Sequence, residues 1–185
     1  MFILYAVLVG LPLGLLLGGR PAGLADLQFR WAWAMLLGLA IQVILFSSPV
    51  SDVVGAAGPP IYIASTGLVL FAILLNRRIT GMPVVALGAI SNLAAIVANG
   101  GYMPTDPALL AEHGSTIPTT YSNSAIVPQP ALRPLTDIYV LPDWLPFANV
   151  FSVGDALIAL GVCLVIVAAM RRRVPASTGA SVPST

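Results

Sequence analysis

The chain has 185 residues, of which 58% are hydrophobic and only 8% are charged. Soluble domains carry roughly 25% charged residues, so this composition excludes an ordinary water-soluble fold and predicts an all-α membrane protein. The formal net charge of +1 argues against nucleic acid as a partner.

Five apolar runs divide the chain, and each is close to the length that an uncharged helix needs to cross a bilayer. The predicted transmembrane helices cover residues 2–19, 31–47, 60–75, 82–98 and 152–170. The longest connection, residues 99–151, joins the fourth helix to the fifth. We therefore expect a single five-helix transmembrane bundle over residues 1–173. The tail at 174–185 is rich in Pro, Ser and Thr and is predicted to be disordered.

The first run contains a stripe of small residues. Gly10, Gly14 and Gly18 recur every four residues, a spacing that lets the backbone of another helix approach closely. These glycines therefore predict a helix-packing face. The run lacks the positive segment and the small-residue cleavage site of a secretory signal, so we expect this helix to be retained.

The arginines predict the orientation of the bundle. If the five runs alternate in direction, only Arg133 falls on the side of the long loop. The other basic residues fall on the opposite side, namely Arg20, Arg30, Arg77, Arg78, Arg171, Arg172 and Arg173. Because cytoplasmic loops carry the excess of basic residues, we expect the N-terminus outside and the C-terminal tail in the cytoplasm. The long loop is then external.

The polar residues that could support chemistry gather at the outer ends of the last two predicted helices. These helices are consecutive and joined outside, so the end of one meets the start of the other. Asn92 and Asn99 are two helical turns apart, and Asp155 lies one turn into the last helix. The predicted polar cluster consists of Asn92, Asn99, Gly100, Gly101, Tyr102, Asp137, Ser152 and Asp155.

This cluster has two interpretations. Asp155 could share a proton with Asp137, so that one carboxyl acts as base and the other as acid on a water molecule that attacks a peptide bond. Alternatively, Ser152 and Asp155 form a capping box that starts the last helix. Asn92 would then bond to a neighbouring helix, and the residues from Asn99 to Gly101 would end the fourth helix. The second, structural interpretation is favoured.

Two segments carry a first resemblance to known proteins. They are GMPVVALGAISNLAAIVANGGYMP at 81–104 and FSVGDALIALGV at 151–162. With the rest of the chain, they resemble an uncharacterised family of bacterial membrane proteins found in actinobacteria and Chloroflexi. This resemblance implies a multi-pass protein of the bacterial cytoplasmic (inner) membrane and supplies no activity.

The last two helices are also similar to prolipoprotein signal peptidase, an aspartic membrane enzyme. That enzyme has a Gly-Asn-x-x-Asp-Arg motif at the end of its third helix, an Asp-Phe in the next loop, and a Phe-Asn-x-Ala-Asp-Ser motif opening its fourth. The corresponding segments here are Ser-Asn-Leu-Ala-Ala at 91–95, Asp-Ile at 137–138 and Phe-Ser-Val-Gly-Asp-Ala at 151–156.

This second resemblance implies a catalytic role for Asp155, with one departure. Ala95 stands where the enzyme has its first catalytic aspartate, and Ile96 replaces the arginine. A loop carboxylate, Asp137 or Asp106, would have to take the place of the missing partner. The similarity therefore implies a shared scaffold more than a shared activity.

These observations are compatible with three functions. The sequence favours the first, a non-enzymatic bundle that binds lipid or a membrane-protein partner or serves as an accessory subunit of a membrane complex. The second is an aspartic hydrolase at the outer leaflet. The third is a small transporter, whose path would have to be built from Gln42, Asn92 and Asp155; ion paths usually need more intramembrane charge. One cysteine, Cys163, and one histidine, His113, are too few for a zinc site, so no metal or cofactor is expected.

Overall fold

The computed structural model describes residues 2–106, 122–142, 144–145 and 150–172. The predicted tail at 174–185, His113 and Arg173 lie outside these residues. Most of the described chain is α-helical, with a few two-residue strands, so the predicted helical class is confirmed.

The long helices coincide with the five apolar runs. They are α1 (Phe2–Leu16), α2 (Ala32–Leu45), α4 (Gly58–Leu75), α5 (Met82–Ala98) and α6 (Val153–Met170), and α3 (Ser48–Ser51) is a single turn. Helix α1 ends three residues earlier than predicted, and α2 loses its last two predicted residues. Helix α5 has the predicted bounds. Among the described residues, Gly55–Leu75 and Val153–Met170 are long and apolar enough to cross a membrane, and the other three long helices are shorter and apolar.

Glycines allow α5 and α6 to pack with their backbones almost in contact. The glycines form two opposed pairs, Gly81 with Gly161 and Gly88 with Gly154. A Cβ atom on Gly161 would lie 2.6 Å from the backbone nitrogen of Val85, which is closer than any side chain can tolerate. From the first pair to the second, the residue number rises in one helix, from Gly81 to Gly88, and falls in the other, from Gly161 to Gly154. Helices α5 and α6 are therefore antiparallel. We call these four glycines the glycine seam.

Helix α1 packs against α6 through two of its predicted glycines. A Cβ atom on Gly10 would lie 3.3 Å from the side chain of Ile166, and one on Gly14 would lie 2.5 Å from the sulfur of Met170. Both pairs are 156 residues apart, so α1 and α6 are parallel. Gly18 differs from the prediction, because it lies beyond the helix at φ 76° and has no atom within 4 Å of its Cβ position. The packing stripe therefore contains two glycines.

Helix α2 packs against α4, and a polar pair joins them. The Nε2 atom of Gln42 donates a hydrogen bond to Oγ1 of Thr66 at 3.3 Å, and the rings of Phe46 and Tyr62 meet edge to face at 5.1 Å. The order of packed helices is α1, α6, α5, α4, α2, and the two outermost helices pack mainly against one neighbour each.

The described part of the long connection lies over the ends of α5 and α6. Strand β1 (Met103–Pro104) pairs in parallel with β2 (Ser124–Ala125), and β3 (Tyr139–Val140) pairs antiparallel with β4 (Val150–Phe151). Thr105 forms a single bridge with Asp137. Asp137 is therefore two residues before β3, whose partner β4 leads directly into α6. This pairing brings Asp137 and the start of α6 to the same end of the bundle.

Candidate functional site

Helix α6 begins with a capping box. The backbone N–H of Asp155 donates to Oγ of Ser152, and the backbone N–H of Ser152 donates to Oδ2 of Asp155, both at 3.1 Å. Each side chain thus satisfies a backbone group that the first helical turn leaves unpaired. The Ser152 side chain is completely buried.

Asn92 of α5 joins this cap from the neighbouring helix. Its Nδ2 atom donates to Oδ1 of Asp155 at 2.8 Å, and its Oδ1 atom accepts from Oγ of Ser152 at 2.9 Å. The contact requires the glycine seam, because a Cβ atom on Gly154 would collide with the Asn92 side chain. Both oxygens of Asp155 and both ends of the Asn92 amide are engaged. We call Asn92, Ser152 and Asp155 the cap cluster.

Asp137 is a second carboxyl group close to the cap cluster. Its backbone N–H donates to the carbonyl oxygen of Pro104 at 3.0 Å, which anchors it to the segment after α5. Its buried Oδ1 atom accepts no hydrogen bond from the residues that the structure describes. Burial, and next the nearby Asp155 carboxylate, raise the pKa of Asp137 from 3.8 to about 7.

Asp137 and two members of the cap cluster, Asn92 and Asp155, border a cavity of about 560 Å³, to which all five long helices contribute. Its polar lining groups, including Gln42, Asn92, Asp137 and Asp155, lie toward the end where the loop packs, and the opposite end is apolar. Along α5 the lining extends from Met82 to Ile96, a span of about 21 Å at 1.5 Å per residue. The volume falls in the range of roughly 300 to 1,000 Å³ that is usual for ligand pockets.

The cavity opens on the apolar surface of the bundle. Ile3 of α1, Leu39 of α2 and Phe29 before α2 all line it, yet their side chains are 56%, 50% and 36% exposed. The opening thus lies near the two helices at the ends of the packing order. No Arg, Lys or His is found among the described residues that line the cavity.

Three residues of the predicted polar cluster, Asn99, Gly100 and Gly101, lie at the end of α5 and not at the cavity. The amide of Asn99 donates to the carbonyl oxygen of Ala131 and accepts from its N–H, each at 2.9 Å, and so fastens the loop to the end of α5. Gly100 and Gly101 have φ values of 72° and 93°. The N–H of Gly101 donates to the carbonyl oxygen of Ile96 at 2.8 Å, as in a Schellman helix end. These residues end a helix and do not line the cavity.

The other candidates from the loop are also separate from the cap cluster. Tyr102 packs against a buried apolar cluster that includes Ala95, which the predicted similarity to the peptidase aligns with the first aspartate of that enzyme. Asp106 pairs with Arg133 at 3.7 Å and lines a second cavity of about 490 Å³. Of the two loop acids predicted as partners, only Asp137 therefore lies at the same cavity as Asp155.

The sequence interpretation missed the glycine seam. Its signal is a seven-residue spacing in both helices, from Gly81 to Gly88 and from Gly154 to Gly161. Asn76 was also missed as a structural residue. Its buried side chain accepts from the backbone N–H of Arg30 and donates to the carbonyl oxygen of the same residue, each at 2.8 Å, at the end opposite the cap cluster.

No curated protein and no solved structure matches this chain significantly, so the similarity to prolipoprotein signal peptidase stays a sequence-based prediction. One family model matches residues 26–167, a range that contains the cap cluster, Asp137 and every cavity-lining residue except Ile3. The predicted membership of an uncharacterised family is confirmed by this match. The chain belongs to the family described as Family of unknown function (DUF5317).

Proposed function

We propose that this protein is an integral membrane protein that binds a lipid-like amphiphile in the cavity, with the polar head of the ligand at Asp137 and the cap cluster. One observation carries the proposal: an elongated apolar cavity has its polar groups gathered at one end. This is the polarity pattern of a single-chain amphiphile.

The outer surface of the helices supports a membrane location. Large apolar side chains are exposed on every long helix, among them Leu16, Leu36, Val43, Leu87 and Leu160. Monomeric soluble proteins rarely expose contiguous apolar patches of this kind, whereas lipid-facing helices must.

The directions of the helices support five membrane crossings. Helix α6 is antiparallel to α5 and parallel to α1, and the Gln42–Thr66 and Phe46–Tyr62 contacts make α2 antiparallel to α4. Pro59 at the start of α4 approaches Gly101 beyond the end of α5, so these two are antiparallel as well. The helices thus alternate in direction along the chain.

The positions of the arginines support the predicted orientation. The N–H of Arg20 donates to the carbonyl oxygen of Met170 at 2.8 Å, and Arg30 bonds to Asn76. The connection between α1 and α2 therefore lies beside the ends of α4 and α6, where the remaining described arginines of this side also lie: Arg77, Arg78, Arg171 and Arg172. On the positive-inside rule, this end faces the cytoplasm and the cap cluster faces outward.

The dimensions and the opening favour a lipid over a water-soluble ligand. A lipid chain spans one leaflet of the hydrocarbon core, which is about 15 Å thick, half of roughly 30 Å. A cavity about 21 Å long is therefore long enough to hold such a chain. Because its opening is lined by exposed apolar side chains, the ligand can enter from the lipid phase.

Leu39→Trp tests the proposal, because the larger ring would fill the opening. We expect binding of a monoacylglycerol with a fluorescent acyl chain, measured in nanodiscs, to weaken by about tenfold, the equivalent of about 1.4 kcal/mol of overpacking. The matched control is Leu36→Trp on the same helix, where the residue is 68% exposed and does not line the cavity. Equal binding by both variants and the unmodified protein would contradict the proposal.

An aspartic hydrolase is the second candidate, and one observation favours it. Asp137 and Asp155 line the same cavity, and the pKa of Asp137 is raised to about 7, so one carboxyl can hold a proton beside another near neutral pH. It ranks second because both oxygens of Asp155 already accept hydrogen bonds within the cap cluster. Cleavage of a membrane-anchored peptide that disappears in Asp137→Asn would support it, and the absence of cleavage by the unmodified protein would rule it out.

A further inference from the structure

We infer that the polar end of the ligand is a hydrogen-bond donor without negative charge, a hydroxyl or an ammonium group carried on a long hydrocarbon chain. This inference rests on the proposed function and specifies the class of ligand. It follows from which polar groups at the cavity are already engaged and from the charges around it.

The cap cluster uses its own hydrogen-bonding groups internally. Asn92 donates to Asp155 and accepts from Ser152, and the remaining oxygen of Asp155 accepts from the backbone of Ser152. A ligand that needed a donor from this cluster would have to break these bonds. The cluster is thus a closed polar wall rather than a source of free donors.

Asp137 supplies the unsatisfied group. Its buried Oδ1 atom is an acceptor without a partner among the described residues, and leaving such an atom unsatisfied costs about 1 to 3 kcal/mol. A donor on the ligand would remove that cost. A hydroxyl suits either protonation state of the carboxyl group because it can both donate and accept, and an ammonium group suits the ionised state.

The balance of charges at this end disfavours an anionic head. The positive N-terminus also acts on Asp137 and lowers its pKa, but by less than either burial or the Asp155 carboxylate raises it. Asp137 and Asp155 both line the cavity, and the described lining residues include no basic side chain that could pair with a carboxylate or phosphate. Burying an unpaired anion next to carboxylates is strongly unfavourable. Fatty acids and phosphatidic acid are therefore expected to bind poorly.

Three probes with the same hydrocarbon chain test the inference: hexadecan-1-ol, hexadecylamine and hexadecanoate. Each probe competes with the fluorescent monoacylglycerol for binding to the full-length protein in nanodiscs at pH 7.5. We expect the alcohol, the amine or both to displace it at concentrations at least about tenfold lower than hexadecanoate, a difference of about 1.4 kcal/mol. If the amine binds more tightly than the alcohol, the head is an ammonium group. If the alcohol binds at least as tightly as the amine, the head is a hydroxyl group.

Three outcomes would overturn the inference, and they differ in what they mean for the proposed function. If hexadecanoate competes as well as the others and Leu39→Trp blocks it, the cavity binds lipid but the assigned head chemistry is wrong. If the fluorescent monoacylglycerol binds but none of the three probes displaces it, the assigned head chemistry is also wrong. If the monoacylglycerol itself does not bind, the proposed function fails together with the inference.

Asp137→Asn tests whether this carboxyl makes the selection. The amide keeps the size of the side chain but removes the negative charge and adds a donor, so the preference over hexadecanoate should shrink to about threefold or less. The control is Asp106→Asn, at the second cavity, which should keep the full preference. Thermal unfolding establishes that both variants fold. A folded Asp137→Asn with an unchanged preference would show that Asp137 does not select the head.

Discussion

Asp137 and Asp155 are carboxyl groups at one cavity with different surroundings. Asp155 caps a helix and accepts hydrogen bonds on both oxygens, whereas the partly buried Asp137 has a buried oxygen without a partner among the described residues. The role of Asp155 could be predicted from the sequence because a capping box is a local pattern of four residues. Asp137 was predicted in the same polar cluster, but the sequence could not choose between Asp137 and Asp106 as the carboxyl partner of Asp155. That choice depends on the bridge between Asp137 and Thr105, which are 32 residues apart with no repeating pattern between them.

The raised pKa of Asp137 predicts a pH dependence of stability. The folded protein holds the Asp137 proton more tightly than the unfolded chain does. The contribution of this group to the free energy of unfolding is therefore greatest at low pH and falls as the pH rises from 3.8 to about 7. The slope from this group approaches about 1.4 kcal/mol per pH unit between those values.

Unfolding in detergent at pH 5 and pH 8 checks this prediction. Asp137→Asn should lose most of the difference in stability between the two pH values and should be more stable than the unmodified protein at pH 8. Asp106→Asn, which removes an acid paired with Arg133 outside the site, should keep the difference. An Asp137→Asn variant with the original pH dependence would show that another group is responsible.

At the scale of helices, the glycine seam decides where the polar groups meet. The apolar runs predicted the five long helices, and the helix end predicted from Asn99 to Gly101 agrees with the last residue of α5, Ala98. The seam itself was missed because an isolated glycine in a helix looks like a local weakness. Each glycine of the seam on α5 packs against a glycine about 70 residues further along the chain, and a local sequence pattern does not reveal such a pair.

Gly154→Ala should destabilise the protein by about 1 to 3 kcal/mol, because the added Cβ atom meets the Asn92 side chain and lies 2.7 Å from the carbonyl oxygen of Gly88. The matched control is Gly67→Ala in α4, where no atom lies within 4 Å of the Cβ position. That change should be neutral or stabilising by up to about 1 kcal/mol, since alanine favours the helix. Thermal unfolding in detergent compares the two, and equal effects would argue against tight packing at the seam.

At the scale of the whole molecule, composition and charge predicted the helical class, and the alternation of helix directions agrees with five crossings. The proposed orientation predicts which exposed sites face the outside of the cell. In a Cys163→Ser background, a membrane-impermeant thiol reagent should label Gln129→Cys in intact cells. It should label Arg78→Cys only after the membrane is opened. Both positions are exposed, so labelling of Arg78→Cys but not of Gln129→Cys in intact cells would show that the orientation is the opposite one.

The half-exposed Leu39 at the opening of the cavity has a consequence for how affinity is expressed. A molecule that reaches its site by lateral diffusion first partitions from water into the bilayer, and the protein responds to its mole fraction there. Diluting the same amount of ligand with additional bilayer would then lower occupancy while its total concentration stays constant. Under the proposed function, dissociation constants for this protein therefore belong on a two-dimensional scale, as moles of ligand per mole of phospholipid.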